Sequence, residues 1–282
     1  MTELRNRMRE DMRIRNLAQT TQKHYLDQVA AFARHFGRSP ADLGPEHIRA
    51  WQVHLAEERG LSWSSRNVAV CALRFFYSTT LDRDWVIKHI PFAKAERRLR
   101  VVLSPEEVRQ FLAAATNIKH RTVFMACYSA GLRVSEVIQL RVDDIDSKRM
   151  VIRVRAGKGR KDRFVPLSAR LLKALRAYWP AVRPTRFLFP GRDACRPIAR
   201  TSVYEACRRT ARRAGIKKLV TPHTLRHCCA THMLEAGVDL RTIQEVLGHA
   251  SFSTTSRYIH IATGKLGSAH NPLDMLDALP VG

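Results

Sequence analysis

Residues 129–146 read SAGLRVSEVIQLRVDDID, and the interpretation of the whole chain turns on this stretch. Gly131-Leu132 interrupts a helical run, Arg133 follows the break directly, and Glu136 stands three residues on. A carboxylate at that spacing suits the cap of a short helix, expected over Ser135–Leu140. Taken singly, Arg133 is an ordinary surface residue and Glu136 a capping residue.

Downstream, TPHTLRHCCATHMLEAG (221–237) offers Thr221 as a helix cap and Pro222 at the first turn, with His223 and Arg226 three apart on one face. A histidine and an arginine at a helix start suit an anion, because unpaired N–H groups and the helix dipole add to their charge. His227 and His232, close to Cys228 and Cys229, raise the question of a metal. No H-E-x-x-H occurs and no pair has zinc-finger spacing, so no metal site and no cofactor is expected. LGHASFSTTSRYIH (247–260) then puts His249 after a helix-stopping glycine and Tyr258 on a short helix over Ser253–Ile261. Alone, Tyr258 is an amphipathic packing residue. Between these stretches, Arg149–Arg155 (RMVIRVR) alternates like a strand, GKGRKD turns the chain at Lys158, and RFVPL reads as a second strand.

The remaining elements are helical. Ser104-Pro105-Glu106-Glu107 opens a helix over Pro105–Ala115 with a reciprocal cap and proline at its first position. Further helices are expected at His120–Ser129, from Ser168 to Trp179, and at Ser202–Ala214, Pro222–Glu235 and Leu240–Leu247, with Gly237 and Gly248 as stops. Before the basic stretch Ala93–Arg100 the pattern is helical throughout. Tyr25, Val29, Phe32 and Phe36 recur by three and four along Thr20–Phe36, and Pro45–Glu58 and Ser64–Thr79 repeat this. Met1–Asn16 reads as a further basic helix. The expected fold is therefore mainly α with a small antiparallel β-sheet, in two domains. The boundaries are 1–92 for a helical domain, 93–103 for a basic linker, 104–263 for a mixed domain and 264–282 for a tail.

Length and composition agree with this division. The 282 residues suffice for about two domains, and 45% hydrophobic with 26% charged residues excludes collagen-like or wholly disordered chains. No apolar run reaches the ~18 residues of a membrane span, and the charged start MTELRNRMREDMRIRN is unlike a secretory signal, so a cytoplasmic protein is expected. Lys and Arg total 49 against 25 acids, a net charge of +24. Residues 97–282 carry 34 of those bases and 14 of the acids, a surplus of +20, whereas residues 1–96 carry a surplus of only +4. Such a surplus attracts polyanions and, through counterion release, nucleic-acid phosphates. Cysteines 71, 127, 195, 207, 228 and 229 form no regular framework, so free, mostly buried thiols are expected.

Taken together and in order, the GLRVSE box, the turn lysine, H-x-L-R, LGH and a tyrosine nine residues after the LGH histidine resemble the tyrosine recombinases, the phage integrase family. The resemblance covers the second domain throughout, and the helical first domain resembles the family's core-binding domain. It implies that Tyr258 is the nucleophile, attacking a phosphodiester to leave a 3′-phosphotyrosyl bond and a free 5′-hydroxyl. Arg133, Arg226 and His249 would stabilise charge on the non-bridging oxygens, and Lys158 would protonate the departing 5′-oxygen. His223 would accept the tyrosine proton, and Glu136 would orient its neighbours. The implied partner is double-stranded DNA with inverted-repeat core sites. The implied working unit is a homo-tetramer in the synaptic complex, with a monomer free in solution and no membrane partner.

Within the family, the absence of a long arm-binding domain resembles the compact Xer and integron-integrase branches. The tail HNPLDML (270–276) is similar to a motif of integron integrases, yet the span between RFVPL and HTLR is short for their additional helix. An integrase or resolvase of a mobile element, working in the bacterial nucleoid, is the preferred reading. A type IB topoisomerase-like relaxing enzyme and a non-catalytic DNA-binding protein on the same fold are the alternatives. In the tail, Leu273, Met275, Leu276 and Leu279 form an apolar stripe that either folds back on its own domain or docks on the next protomer. The tyrosines at 25, 77, 128, 178 and 204, and Trp51, Trp63 and Trp85, are expected in core or interface.

Overall fold

The computed structural model describes residues 3–83, 90–94, 101–155 and 162–248, and the chain divides into two compact units, Met1–Arg98 and Leu99–Gly282. The first is helical: α1 (Glu3–Ile14), α2 (Gln19–Phe36), α3 (Pro45–Glu57) and α4 (Trp63–Phe75). Several starts and stops follow local chemistry. The Ser62 hydroxyl accepts from the Ser65 N–H to open α4, Pro45 begins α3, and Gly37 ends α2 in the left-handed region at φ 62°. The helix expected to reach Thr79 does continue past Phe75, but widens to a π turn over Phe76–Thr80. Within that turn Tyr77 is fully buried, and its hydroxyl donates to the carbonyls of Pro40 at 2.8 Å and Leu43 at 3.0 Å. Met8, Met12, Phe32, Ile48, Trp51, Leu73 and Phe76 make the core. Trp51 is buried and Trp63 half-buried, while Trp85 lies outside the described residues.

The second unit surrounds a buried helix. After α5 (Pro105–Ala114), α6 (Ile118–Ser129) buries every residue from Thr122 to Cys127 and packs against α7 (Val134–Gln139), α8 (Ala169–Val182), α9 (Arg200–Arg213) and α10 (Pro222–Glu235). A helical stretch without a polar face, such as Val123–Cys127, belongs at such a centre. The expected reciprocal cap opens α5: Ser104 N–H donates to the Glu107 carboxylate at 2.7 Å, and Glu107 N–H to the Ser104 hydroxyl at 3.1 Å. Helix α8 runs three residues beyond Trp179, through Pro180, and Arg183, at φ 48°, closes it by donating its main-chain N–H to the Trp179 carbonyl.

The sheet is antiparallel in the order β1 (Ile145–Asp146), β2 (Val151–Val154), β3 (Arg163–Pro166). Ile152 pairs with Ile145 on one side and Val165 on the other, and Val154 pairs with Arg163. Ile152 and Val154 are buried while Arg153 faces solvent, as alternation requires. Helix α11 (Leu240–Leu247) opens on Asp239, whose carboxylate accepts from the N–H groups of Arg241 and Thr242, and ends at Gly248 with φ 62°. The helix expected over Ser253–Ile261 lies outside the described residues.

The six cysteines are free thiols, four of them buried. Burial pushes Cys127 and Cys229 up to about 12 and Cys228 up to about 11, leaving them protonated packing groups. Among the described residues no helix is long and apolar enough to cross a membrane.

Candidate active site

Arg133 sits immediately before α7, and Glu136 reaches back to it twice. One carboxylate oxygen accepts from the Arg133 main-chain N–H at 2.8 Å, and the other from its guanidinium at 2.7 Å. The sequence permits this because Gly131 turns the chain at φ 58° directly after α6. A β-carbon at Gly131 would lie 2.7 Å from Leu247 Cδ2, so the turn also lets α11 approach.

Arg226 closes the site from below. It stands in the second turn of α10, whose start is fixed by Thr221 and Thr224, each accepting from the other's main-chain N–H at 3.1 Å. Only 1% of Arg226 is exposed. Its guanidinium donates to the Gly131 carbonyl and, at 2.7 Å, to the Leu247 carbonyl, and it lies 3.8 Å from Glu136. An arginine can remain charged at such burial because carbonyl oxygens and a carboxylate surround it.

A third arginine, which the sequence reading did not single out, completes the cluster. Arg163 of β3 meets Glu136 with two bonds of 3.0 Å, one to each oxygen. Its signal was present in RFVPL. Two residues before buried Val165 it occupies the inward side of the strand, where an arginine needs an acidic partner. Burial by itself would raise the Glu136 carboxyl. The bonds from Arg163 and Arg133 override that and hold it at about 2. The carboxylate is therefore ionised among three guanidinium groups, and the cluster keeps a net positive charge.

The three arginines also share the end of α11. Arg163 approaches the Val246 carbonyl at 3.5 Å, Arg226 binds that of Leu247 at 2.7 Å, and Arg133 binds that of Gly248 at 3.2 Å. The last carbonyls of a helix have no partner within it and carry its negative dipole end, so cations from three elements converge there. The Leu247-Gly248 end of α11 is thereby held against the GLR turn.

His223 is exposed on the first turn of α10, its ring edge-on to that of His227 with centroids 4.3 Å apart. His232 is a packing residue. Its Nε2 faces the Leu103 carbonyl at 2.9 Å and must donate there, which leaves Nδ1 to accept from the Tyr128 hydroxyl at 2.9 Å. Cys228 accepts from the Leu103 N–H. Among the described residues no three potential metal ligands stand together.

The structure thus brings together Arg133, Glu136 and Arg226, and places His223 on the same helix as Arg226. Lys158, His249 and Tyr258 lie outside the described residues. The stem of the Lys158 hairpin is described. Arg155 binds Asp144 at 2.6 Å and Asp143 at 2.8 Å, and Arg153 binds Asp162 at 2.7 Å.

Residues 101–265 match the family model for the phage integrase family, and residues 4–87 that for the phage integrase N-terminal SAM-like domain. The protein y4qK of Sinorhizobium fredii, which carries a provisional integrase/recombinase designation, is 50% identical over 277 residues, covering 98% of this chain and 90% of the relative. The tyrosine recombinase XerA of Thermococcus kodakarensis is 34% identical over 262 residues, with 91% of each chain covered. A crystal structure of XerA recombinase aligns at TM-score 0.56 and 31% identity over 95% of this chain and 96% of that one. A lambda integrase dimer bound to a COC′ core site aligns at TM-score 0.76 over 92% and 94%, and at 18% identity it shares the fold. With both family models together spanning most of its length, the chain belongs to the phage integrase family, the tyrosine recombinases.

Proposed function

We propose that this protein is a site-specific recombinase of a mobile element, cutting and rejoining duplex DNA through a 3′-phosphotyrosyl bond at Tyr258. The observation that carries the proposal is the Arg133–Glu136–Arg226 cluster at the end of α11, one residue before His249. A scissile phosphate gains charge on its non-bridging oxygens as the nucleophile adds, and preorganised guanidinium groups stabilise that charge without reorganising. Arg133, with 26% of its side chain exposed, is the member of the cluster that reaches outward.

In this reading the Tyr258 oxygen attacks phosphorus as His223 takes the phenol proton. The P–O5′ bond breaks, and Lys158 protonates the departing oxygen. A 5′-hydroxyl from the partner strand later attacks the phosphotyrosine and releases Tyr258, so the phosphodiester energy is conserved and no ATP is needed. His249 adds a hydrogen bond to the same phosphate. Residues 1–92 act as the core-binding domain, 93–103 as its linker and 104–263 as the catalytic domain, with tetramers assembled on inverted-repeat sites in the cytoplasm.

Covalent capture tests this. Wild-type protein mixed with nicked duplexes of random sequence should give a species that survives denaturing electrophoresis, with EDTA present. Tyr258→Phe should bind the captured duplexes with unchanged affinity and form none of it. An adduct that persists in Tyr258→Phe places the nucleophile elsewhere, and its absence from wild type argues against the reading as a whole.

A further inference from the structure

The β3 strand enters the arginine cluster through one side chain, and that side chain touches two parts of the site at once. Arg163 holds both oxygens of Glu136 at 3.0 Å, a parallel two-bond geometry that a planar guanidinium makes and an ammonium does not. The same guanidinium lies close to Gly248. A β-carbon at Gly248 would stand 2.7 Å from Arg163 Nε and 2.8 Å from Cζ, closer than real side chains approach. Gly248 is therefore favoured by its φ of 62°, and a side chain there would also have to displace the Arg163 guanidinium from its place beside Glu136.

We propose that Arg163 is a positioning residue for strand cleavage, clamping Glu136 on one side and the Gly248 turn on the other. This rests on the recombinase reading above. Through Glu136 it fixes the fork of Arg133, since both arginines share the same two oxygens. Through Gly248 it fixes the backbone from which His249 departs. Arg163 also lies five residues after Lys158, in the strand that leaves the same hairpin, so one side chain ties that hairpin to the cluster. Without it, Glu136 keeps Arg133 and the 3.8 Å approach of Arg226, and the carboxylate is free to swing with Arg133.

The test uses full-length protein and a duplex obtained by covalent capture with wild type. Arg163→Gln should bind that duplex within about threefold of wild type, whereas its single-turnover cleavage should fall by about tenfold to a hundredfold, the usual consequence of a misplaced group. Arg163→Lys restores the charge without the fork and should recover only part of the rate. A double-mutant cycle reads the contact itself. Gly248→Ala should lower cleavage by about tenfold or more in wild type but by no more than about threefold in Arg163→Ala, because the obstructing guanidinium is gone. The same cycle followed by thermal melting needs no DNA and should show the same non-additivity.

Wild-type cleavage by Arg163→Gln, full rescue by lysine, or equal losses from Gly248→Ala in both backgrounds would overturn the proposal. Wild-type protein that captures no DNA overturns the recombinase reading instead, a distinct result, with melting still reporting on the contact.

Discussion

The Arg226 guanidinium donates to the main-chain carbonyl of Leu247 at 2.7 Å, joining the second turn of α10 to the last residue of α11. With its bond to the Gly131 carbonyl, it holds the turn after α6 to the end of α11, more than 100 residues apart in sequence. Arg226→Ala should therefore damage the fold as well as the chemistry. It strands two carbonyls and removes a buried countercharge from Glu136, a loss of about 3–5 kcal/mol. For a unit of this size that corresponds to a fall in melting temperature of roughly 10 °C. Arg226→Lys, which retains charge but not the two-way fork, should lie between. Calorimetry on the two variants decides the matter, and an unchanged transition in the alanine variant would show that Arg226 contributes nothing to stability.

Glu136 makes stability depend on pH in a defined direction. Its folded value of about 2 lies below the ordinary 4.5, so the unfolded chain takes up the proton first as pH falls. The stabilisation is complete above about pH 4.5 and is lost progressively toward pH 2, at most on the order of 3 kcal/mol. Wild type minus Glu136→Gln, measured by denaturant unfolding, should be constant from pH 7 to 5 and then shrink. A difference that stays level down to pH 2.5 would mean that Glu136 is not held ionised by its arginines.

Where local chemistry decides structure, the sequence sufficed. Thr221-Pro222 and Gly237 bracket α10, and Gly248 ends α11, each through a signal that a few neighbouring residues specify. The GLR break and the Glu136 cap were legible for the same reason. The π turn over Phe76–Thr80 was not, because the helical period of apolar residues runs through it unchanged. Two-residue β1 is too short to alternate, and exists because Ile145 and Asp146 find β2. Arg163 escaped notice because its partner lies 27 positions away, and pairing at that distance belongs to tertiary structure. The roles of Lys158, His249 and Tyr258 came from the family resemblance, and no local pattern would have distinguished them from a hairpin lysine, a post-helix histidine and a packing tyrosine.

Two glycines separate backbone strain from close approach. Gly131 and Gly215 both have left-handed φ, 58° and 68°, but Gly215 faces open space whereas a β-carbon at Gly131 would meet Leu247 Cδ2 at 2.7 Å. Gly215→Ala should cost about 1–2 kcal/mol for conformation alone. Gly131→Ala should cost that and a further ~1–3 kcal/mol, because α11 must retreat. Equal losses in chemical denaturation would show that Leu247 rotates aside without penalty.

Lys158 offers the sharpest separation of chemical roles. The hairpin that carries it is fastened at its stem, where Arg155 binds Asp144, only 2% exposed, and Asp143, and the Val154–Arg163 pair leads into the arginine cluster. A general acid matters only when the leaving group needs a proton. An oxygen at the 5′ position does, and a sulfur in the same place departs as a thiolate. Lys158→Ala should then cleave ordinary DNA about 10²–10⁴-fold more slowly than wild type, yet cleave 5′-bridging phosphorothiolate DNA at close to the wild-type rate. Arg133→Ala provides the contrast, since charge on the non-bridging oxygens develops with either leaving atom, and it should be slow on both substrates. The pair of variants thus distinguishes proton donation from phosphate stabilisation within one experiment. Equal defects of Lys158→Ala on the two DNAs would make the lysine a phosphate ligand and return the proton to another donor.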